Sequence, residues 1–523
     1  MTFVALVVSV GLLWVAQCVV RQAYNRFVRY ADWPSPKRTL PLAGNIVEAG
    51  PAFMRYIVRE ARRHASKTGN FLFWPGGATP IAVVMTPKAV REVLSSHTTF
   101  PKGPDYTNTF GRVFGAGLVT STGAQHSRAR RCLGRFFVKT AVEAELATIR
   151  DVASRVAEMA IEPACGDGAT ARVDLQECFH MITLQVFCKL QLSVDVWTLG
   201  TASCPLALHP SLNSIKRELG VALDEPLPPG AVANVWSREV SFGSNVVGTH
   251  MIFGIPLSRI FPDVRRTIRS VRDAHDVFLA LAARRKAMIG DPDCPDDCLT
   301  ALVKEQMENG MTDREICDQI LTLVSAGHDT TAYFCCYAIF LLAKHPDLAE
   351  DLRAELNDPD AFDFPTSRLK RVLQEVLRLY PTIPMVTRVA ASDVVISAAN
   401  NAKMRLPRGS RILVPFFAIN RLTSVWGDDA AVFNPGRWLE ANAEVRSDGI
   451  QASKQGFLPF SYGSRTCIGY SFALVETRAI LAQLLDRYVF TEIPGFSPTI
   501  KAGISLTVEN PKGIRVQVRH RGA

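Results

Sequence analysis

No two cysteines in this 523-residue chain are spaced C-x-x-C, and the twelve, from Cys18 to Cys467, follow no regular interval. That argues against a disulfide framework or a structural zinc site, and for reduced thiols on the cytosolic side. Even the closest acidic pair, Cys294 and Cys298 in "DPDCPDDC", is read as a turn and not as a metal site. No stretch of consecutive basic residues resembles a nucleic-acid arm either. The 59 lysines and arginines against 49 acidic residues give a net charge of +10 spread along the chain, so no nucleic-acid arm is expected. The excess reads as solvated surface, with anionic lipid or an acidic protein partner as the sharper alternative. Repeats, a second low-complexity break and βαβ alternation are all missing. What remains is a chain that is 48% hydrophobic and able to bury a large core.

One long apolar run is present, at the amino terminus. Phe3 to Val20 carries no charge over 18 residues. As a helix rising ~1.5 Å per residue it would be about 27 Å long, close to a hydrocarbon core of about 30 Å. A transmembrane anchor over residues 1–20 is therefore expected, rather than a core helix or a cleaved signal. Arg21, Arg26 and Arg29 follow the run and place the body of the protein in the cytosol. Pro34, Pro36 and Pro41 make residues 21–45 a stiff, extended tether, and residues 46–523 read as one domain.

Helical periodicity dominates that domain. Helices are expected over 52–68, 124–137, 141–160, 175–192, 265–288, 312–344, 346–356, 367–379 and 470–488, with strands near 81–85, 393–397, 411–416 and 514–519. The fold class is mainly α with a small β region. Residues 193–262 are the least readable part. Thr312 and Glu315 form a capping-box pattern and His345-Pro346 closes the helix they open. In the middle of this helix stands "AGHDTT", Ala326 to Thr331. A helix glycine costs about 1 kcal/mol, and a threonine hydroxyl competes for the carbonyl four residues back, so a bulge is expected there. Its functional reading is a groove beside a bound group, with Asp329 and Thr330 relaying protons to a buried reaction centre.

Cys467 lies in "FSYGSRTCIGYSF", just before a predicted helix starting at Tyr470. Unpaired N–H groups and the positive end of the helix dipole favour an anion there, which suits a thiolate ligand or a reactive thiol. Gly463 and Gly469 would let backbone approach a flat cofactor, and Arg465 could pair with its carboxylates.

These residues carry a resemblance. "FSYGSRTCIG", Phe460 to Gly469, is similar to the haem-binding signature F-x-x-G-x-R-x-C-x-G of the cytochrome P450 superfamily at every fixed position. "EVLR" (Glu375 to Arg378), "FNPGRW" (Phe433 to Trp438) and "AGHDTT" resemble three further motifs of that family, in the same order. The apolar leader resembles that of its microsomal members. The resemblance implies a cytochrome P450 fold preceded by one transmembrane helix, and haem b (iron protoporphyrin IX) as cofactor with Cys467 as the axial thiolate on its iron. It implies Asp329 and Thr330 as proton-delivering residues, with Ala326 and Gly327 leaving room for dioxygen. Arg388, Arg465 and Arg130 would meet the haem propionates, with His126 standing where many relatives have tryptophan; a surface histidine is the bland alternative. Phe460 and Gly469 complete the cofactor loop, and Glu375, Arg378 and Arg437 form a structural triad.

The implied activity is a haem-thiolate monooxygenase on the endoplasmic reticulum membrane, its catalytic domain cytosolic. It would hydroxylate or oxidatively demethylate a sterol, fatty acid or terpenoid. Substrate contacts are expected from Phe100 to Val119, near Ser325, and from residues 382–386 and 503–506. Electrons would come from NADPH through a separate reductase docking near Lys454, Arg465 and Arg478. The alternatives are a same-fold isomerase or dehydratase acting on a peroxide, against which Asp329-Thr330 tells, and a non-catalytic haem or lipid carrier.

Overall fold

The computed structural model describes residues 2–36, 43–49, 53–65, 68–76, 79–103, 110–165, 170–206, 208–232, 235–236, 262–356, 367–439, 456–498, 500–502, 506–508 and 513–521. It resolves into two compact units. One comprises Met1–Asp105, Met251–Gly254 and Arg378–Cys467, and the other Tyr106–His250, Ile255–Leu377 and Ile468–Ala523.

The first unit opens with helix α1 (Thr2–Tyr24) and carries α2 (Pro87–Ser95). Its main sheet has the order β1-β2-β7-β4, from strands β1 (Phe71–Phe73), β2 (Ile81–Val83), β7 (Arg411–Val414) and β4 (Val386–Val389). Strand β2 runs parallel to β7, and the other pairings are antiparallel. A hairpin of β5 (Val394–Ser397) and β6 (Lys403–Leu406) completes it.

The second unit is helical. Its core is α5 (Asp313–Ala343), flanked by α3 (Gly123–Leu133), α4 (Leu175–Leu192) and α7 (Tyr470–Arg487). Helix α6 (Arg368–Leu379) runs into the first unit at its end. A three-stranded sheet has the order β3-β11-β8, from β3 (Ala171–Asp174), β11 (Arg515–His520) and β8 (Tyr488–Thr491); β9 (Ile500–Ala502) pairs with β10 (Leu506–Val508).

Helix α5 forms for the reason its sequence gives. Glu315 N–H donates to Thr312 Oγ1 at 3.2 Å and Thr312 N–H to Glu315 Oε2 at 2.9 Å, so the capping box closes both ways. The bulge expected at "AGHDTT" does not form, since α5 runs as α-helix from end to end. Thr330 Oγ1 does donate to Ala326 O at 2.7 Å, and the helix absorbs that back-bond without changing type.

Two expectations at the amino terminus are corrected. Helix α1 forms, yet among the described residues no helix is long and apolar enough to cross a membrane. The helix instead leaves large side chains in the open, among them Leu12, Leu13, Trp14 and Val20. The extended tether is also tied down where it is described. Tyr30 Oη shares a hydrogen bond with Ser410 Oγ at 2.9 Å, Trp33 Nε1 donates to Arg405 O at 2.7 Å, and Leu72 N–H donates to Pro34 O at 2.8 Å. Buried aromatic area outweighs the stiffness of the prolines.

Candidate functional site

Among the described residues, Cys467 alone of the twelve cysteines is exposed, and none is in a disulfide. Its loop holds it from behind. Cys467 N–H donates to Phe460 O at 2.9 Å and Thr466 Oγ1 to Gly463 O at 2.8 Å. Gly463 has φ +74, and a Cβ on it would stand 2.9 Å from Leu94 O and 3.0 Å from Ser95 Cα. Its missing side chain therefore serves the close approach to the end of α2, where the sequence reading had assigned it to a cofactor. Helix α7 starts three residues on, with Gly469 as its amino-terminal cap.

Three cations gather in the same unit. Val389 N–H donates to Pro101 O and Ala391 N–H to Thr99 O, both at 2.9 Å, which lays residues 99–101 along β4. Lys102 thereby comes within reach of Arg388 and Arg465. Its ammonium is held well below the usual lysine range, first by desolvation and then by those two guanidiniums. Arg388 is buried and Arg465 half-buried. Such a cluster suits a ligand with two negative charges beside a soft-metal site, which is the chemistry of haem with its two carboxylates. The residues present fit that group. Lys102 was missed by sequence reading; its signal, a lysine after Phe-Pro and before glycine, is too common to single out.

Arg378 is fully buried. It donates from Nη1 to Asn420 O (2.7 Å) and Ala430 O (2.6 Å), and from Nη2 to Val432 O (3.0 Å). Glu375, one turn earlier on α6, is equally buried. Arg437 is gripped by Asp429, with Nη2 to Oδ2 at 2.8 Å and Nη1 to Oδ1 at 3.2 Å. Asp429 is thus a second residue the motifs did not announce.

The second unit holds the remaining candidates. Between Ile316 and Ala343, α5 is buried except at Ala326, Gly327 and Thr330, which open one helix face over a single turn. Gly327 also faces α4 closely: a Cβ there would come 2.3 Å from Phe187 Cδ2. Room for dioxygen is therefore a narrower reading than the packing supports, because the glycine lets α4 and α5 approach. Asp329 turns towards α4, where Oδ1 lies 3.1 Å from His180 Nε2 in a contact buried on both sides. His126 is buried and Arg130 half-buried, one turn apart on α3, so the surface-histidine alternative falls. On α7, Glu476 is buried and burial raises its carboxyl well above the usual range, with Thr331 as a polar neighbour. Among the described residues no cluster of three or more His, Cys, Asp or Glu could hold a metal ion. Lys454 and residues 104–109 and 503–505 lie outside the described residues.

A family model described as Cytochrome P450 matches residues 34–518. The chain belongs to the cytochrome P450 family. Curated relatives include the cytochrome P450 monooxygenase buaD of Petromyces alliaceus, 27% identical over 78% of this chain and 73% of its own. Cytochrome P450 52-M1 of Starmerella bombicola is 26% identical over 82% and 80%, and pentalenene oxygenase of Streptomyces avermitilis 27% over 85% and 89%. This cytochrome P450 is a monooxygenase with haem as its implied cofactor. Its mostly helical build with small sheets is that of the family.

Proposed function

We propose that this P450 hydroxylates or oxidatively demethylates a lipophilic molecule of the sterol, fatty acid or terpenoid type, with electrons from a separate NADPH-dependent reductase. The observation that carries the reading is the exposed thiol of Cys467 in the same unit as Lys102, Arg388 and Arg465. Cys467 would hold the haem iron, and Lys102, Arg388 and Arg465 would receive its carboxylates. Bound there, haem supplies reductive activation of dioxygen and insertion of one oxygen atom into a C–H bond. The chain supplies the rest. Thr330, on the open face of α5, carries the hydroxyl that passes protons inward, and Asp329 is the carboxyl beside it. Half-buried Ile383 and Met385 support an apolar substrate.

Thr330→Ala should leave haem content and the carbon monoxide spectrum unchanged. It should divert most NADPH-derived electrons to hydrogen peroxide, with product formation falling by about 10²-fold. Measuring product and peroxide per NADPH checks this; a variant that stays tightly coupled would remove Thr330 from proton delivery.

The same reading includes attachment to the endoplasmic reticulum membrane, supported by the exposed Leu12, Leu13, Trp14, Val20, Phe27 and Val28. Removing residues 1–20 spares the docked Tyr30 and should release most of the protein from co-sedimenting lipid vesicles. An unchanged pellet would move the lipid contact to another surface.

A further inference from the structure

His180 belongs to no motif in the chain, yet its ring meets the carboxyl of Asp329. Its Nδ1 lies 2.7 Å from Gln176 O, and its Nε2 lies 3.1 Å from Asp329 Oδ1. A backbone carbonyl only accepts, so Nδ1 must carry a hydrogen. That leaves two neutral or charged arrangements across the second contact: imidazolium facing carboxylate, or Nε2 accepting from a carboxylic acid. Each places one proton on the line between Nε2 and Oδ1. A pair without it would set two lone pairs against each other in a buried site.

The surroundings fix the ring and isolate the pair. His180 packs edge-on against Tyr333, ring centres 5.0 Å apart, and against His328 at 5.3 Å. Gln176 Nε2 donates to Tyr333 Oη at 3.0 Å, and Thr183 Oγ1 to His328 O at 3.0 Å. Burial disfavours the charged form of other ionisable groups described around the pair. Burial pushes His328 down to about 3, and raises Tyr333, Cys336 and Glu476. The nearby charges are Asp174 and Glu177, at the start of α4. There Glu177 is exposed and Gln176 half-buried, so water lies one turn from His180.

We propose that His180 and Asp329 form a proton-sharing dyad and that His180 reloads the carboxyl from which the open face of α5 draws its protons. In the step, the Nε2–H bond breaks and an Oδ–H bond forms, leaving neutral imidazole and a carboxylic acid. Asp329 releases that proton towards Thr330, and a hydronium ion from solvent at the start of α4 passes one back to Nε2, leaving water and restoring the charged pair. The consequence for turnover rests on the monooxygenase reading above, whereas the dyad itself does not.

Two measurements test it. In the diamagnetic carbon monoxide complex of the full chain, nitrogen-15 NMR should show His180 Nδ1 bearing hydrogen at every pH, with Nε2 changing as pH rises; the signal is assigned by its loss in His180→Gln. An Nδ1 without hydrogen overturns the proposal. In turnover, His180→Gln keeps a hydrogen-bonding side chain but no titrating proton. It should lower product formation about tenfold, raise peroxide, keep KM and the thiolate-type spectrum, and lose the alkaline limb of the wild-type pH profile. The double variant with Asp329→Asn should be no slower than the worse single one. Wild-type coupling and pH profile in His180→Gln, or multiplying defects in the double variant, would show a merely structural contact. A wild-type protein without the thiolate-type spectrum would instead sink the monooxygenase reading and leave the NMR result standing.

Discussion

Cys467→Ala is expected to abolish turnover and remove the strongly red-shifted Soret band of the reduced carbon monoxide complex. The argument is one of access and charge. A ligand to iron must be a thiolate that solvent and cofactor can reach, and Cys467 alone among the described cysteines is exposed. Seven of the others are disqualified by burial. Burial pushes Cys132 up to about 11 and Cys178 and Cys317 up to about 12, and raises Cys188, Cys298, Cys335 and Cys336 as well. Among the described residues no second exposed sulfur is therefore placed to take over. Haem content and the carbon monoxide difference spectrum check the outcome, and a surviving red-shifted band would assign the iron to another residue.

Arg378→Ala should be the most damaging substitution that touches no part of the chemistry. The guanidinium satisfies three backbone carbonyls from a stretch without long helices, at Asn420, Ala430 and Val432, and lies 5.1 Å from the centre of the Trp426 ring. Alanine would strand those carbonyls away from water and remove one of the two arginines that lie a turn to either side of buried Glu375 on its helix. Losing one charged partner from such a buried network costs about 3–5 kcal/mol. That is a large share of the ~5–15 kcal/mol by which most proteins are stable. Arg378→Lys should recover little of it, because an ammonium cannot reproduce the planar fork that reaches three acceptors. Denaturant unfolding and the yield of haem-loaded protein measure the effect. A shift within about 0.5 kcal/mol would mean the segment from Asn420 to Val432 is held by its other contacts.

The legible parts of the fold are those in which neighbours in sequence are neighbours in space. Leu175–Leu192 and Pro346–Leu356 form over the residues that their apolar periodicity marks, and the Thr312–Glu315 box starts α5 where it was read. Strands were harder. Strand β1 is three residues long and buried at every position, so it shows no alternation to detect, whereas equally short β2 falls within the expected run at 81–85. Strands β4 and β6 are no shorter than β5 and β7, which were expected, but their own residues carry no distinctive strand run; β4 takes its register from β7 further along the chain and β6 from its hairpin partner β5. At the site, the cysteine loop and the "AGHDTT" turn announced themselves through unusual residues in close order. Lys102, Asp429 and His180 did not, since each is an ordinary residue until a partner from another segment stands beside it.

By itself the sequence determined the chemistry on offer: a thiol placed before a helix amino terminus, an acid and an alcohol adjacent on a long capped helix, and membership of one family. These are local facts, fixed by the identity and spacing of residues within a few turns. Tertiary structure alone decided that the leader is an exposed helix with a docked sequel, that Gly327 admits Phe187, and that His180 meets Asp329 from 149 residues away. Burial, mutual approach and the fate of a shared proton depend on which segments pack together. No spacing along a single chain records that.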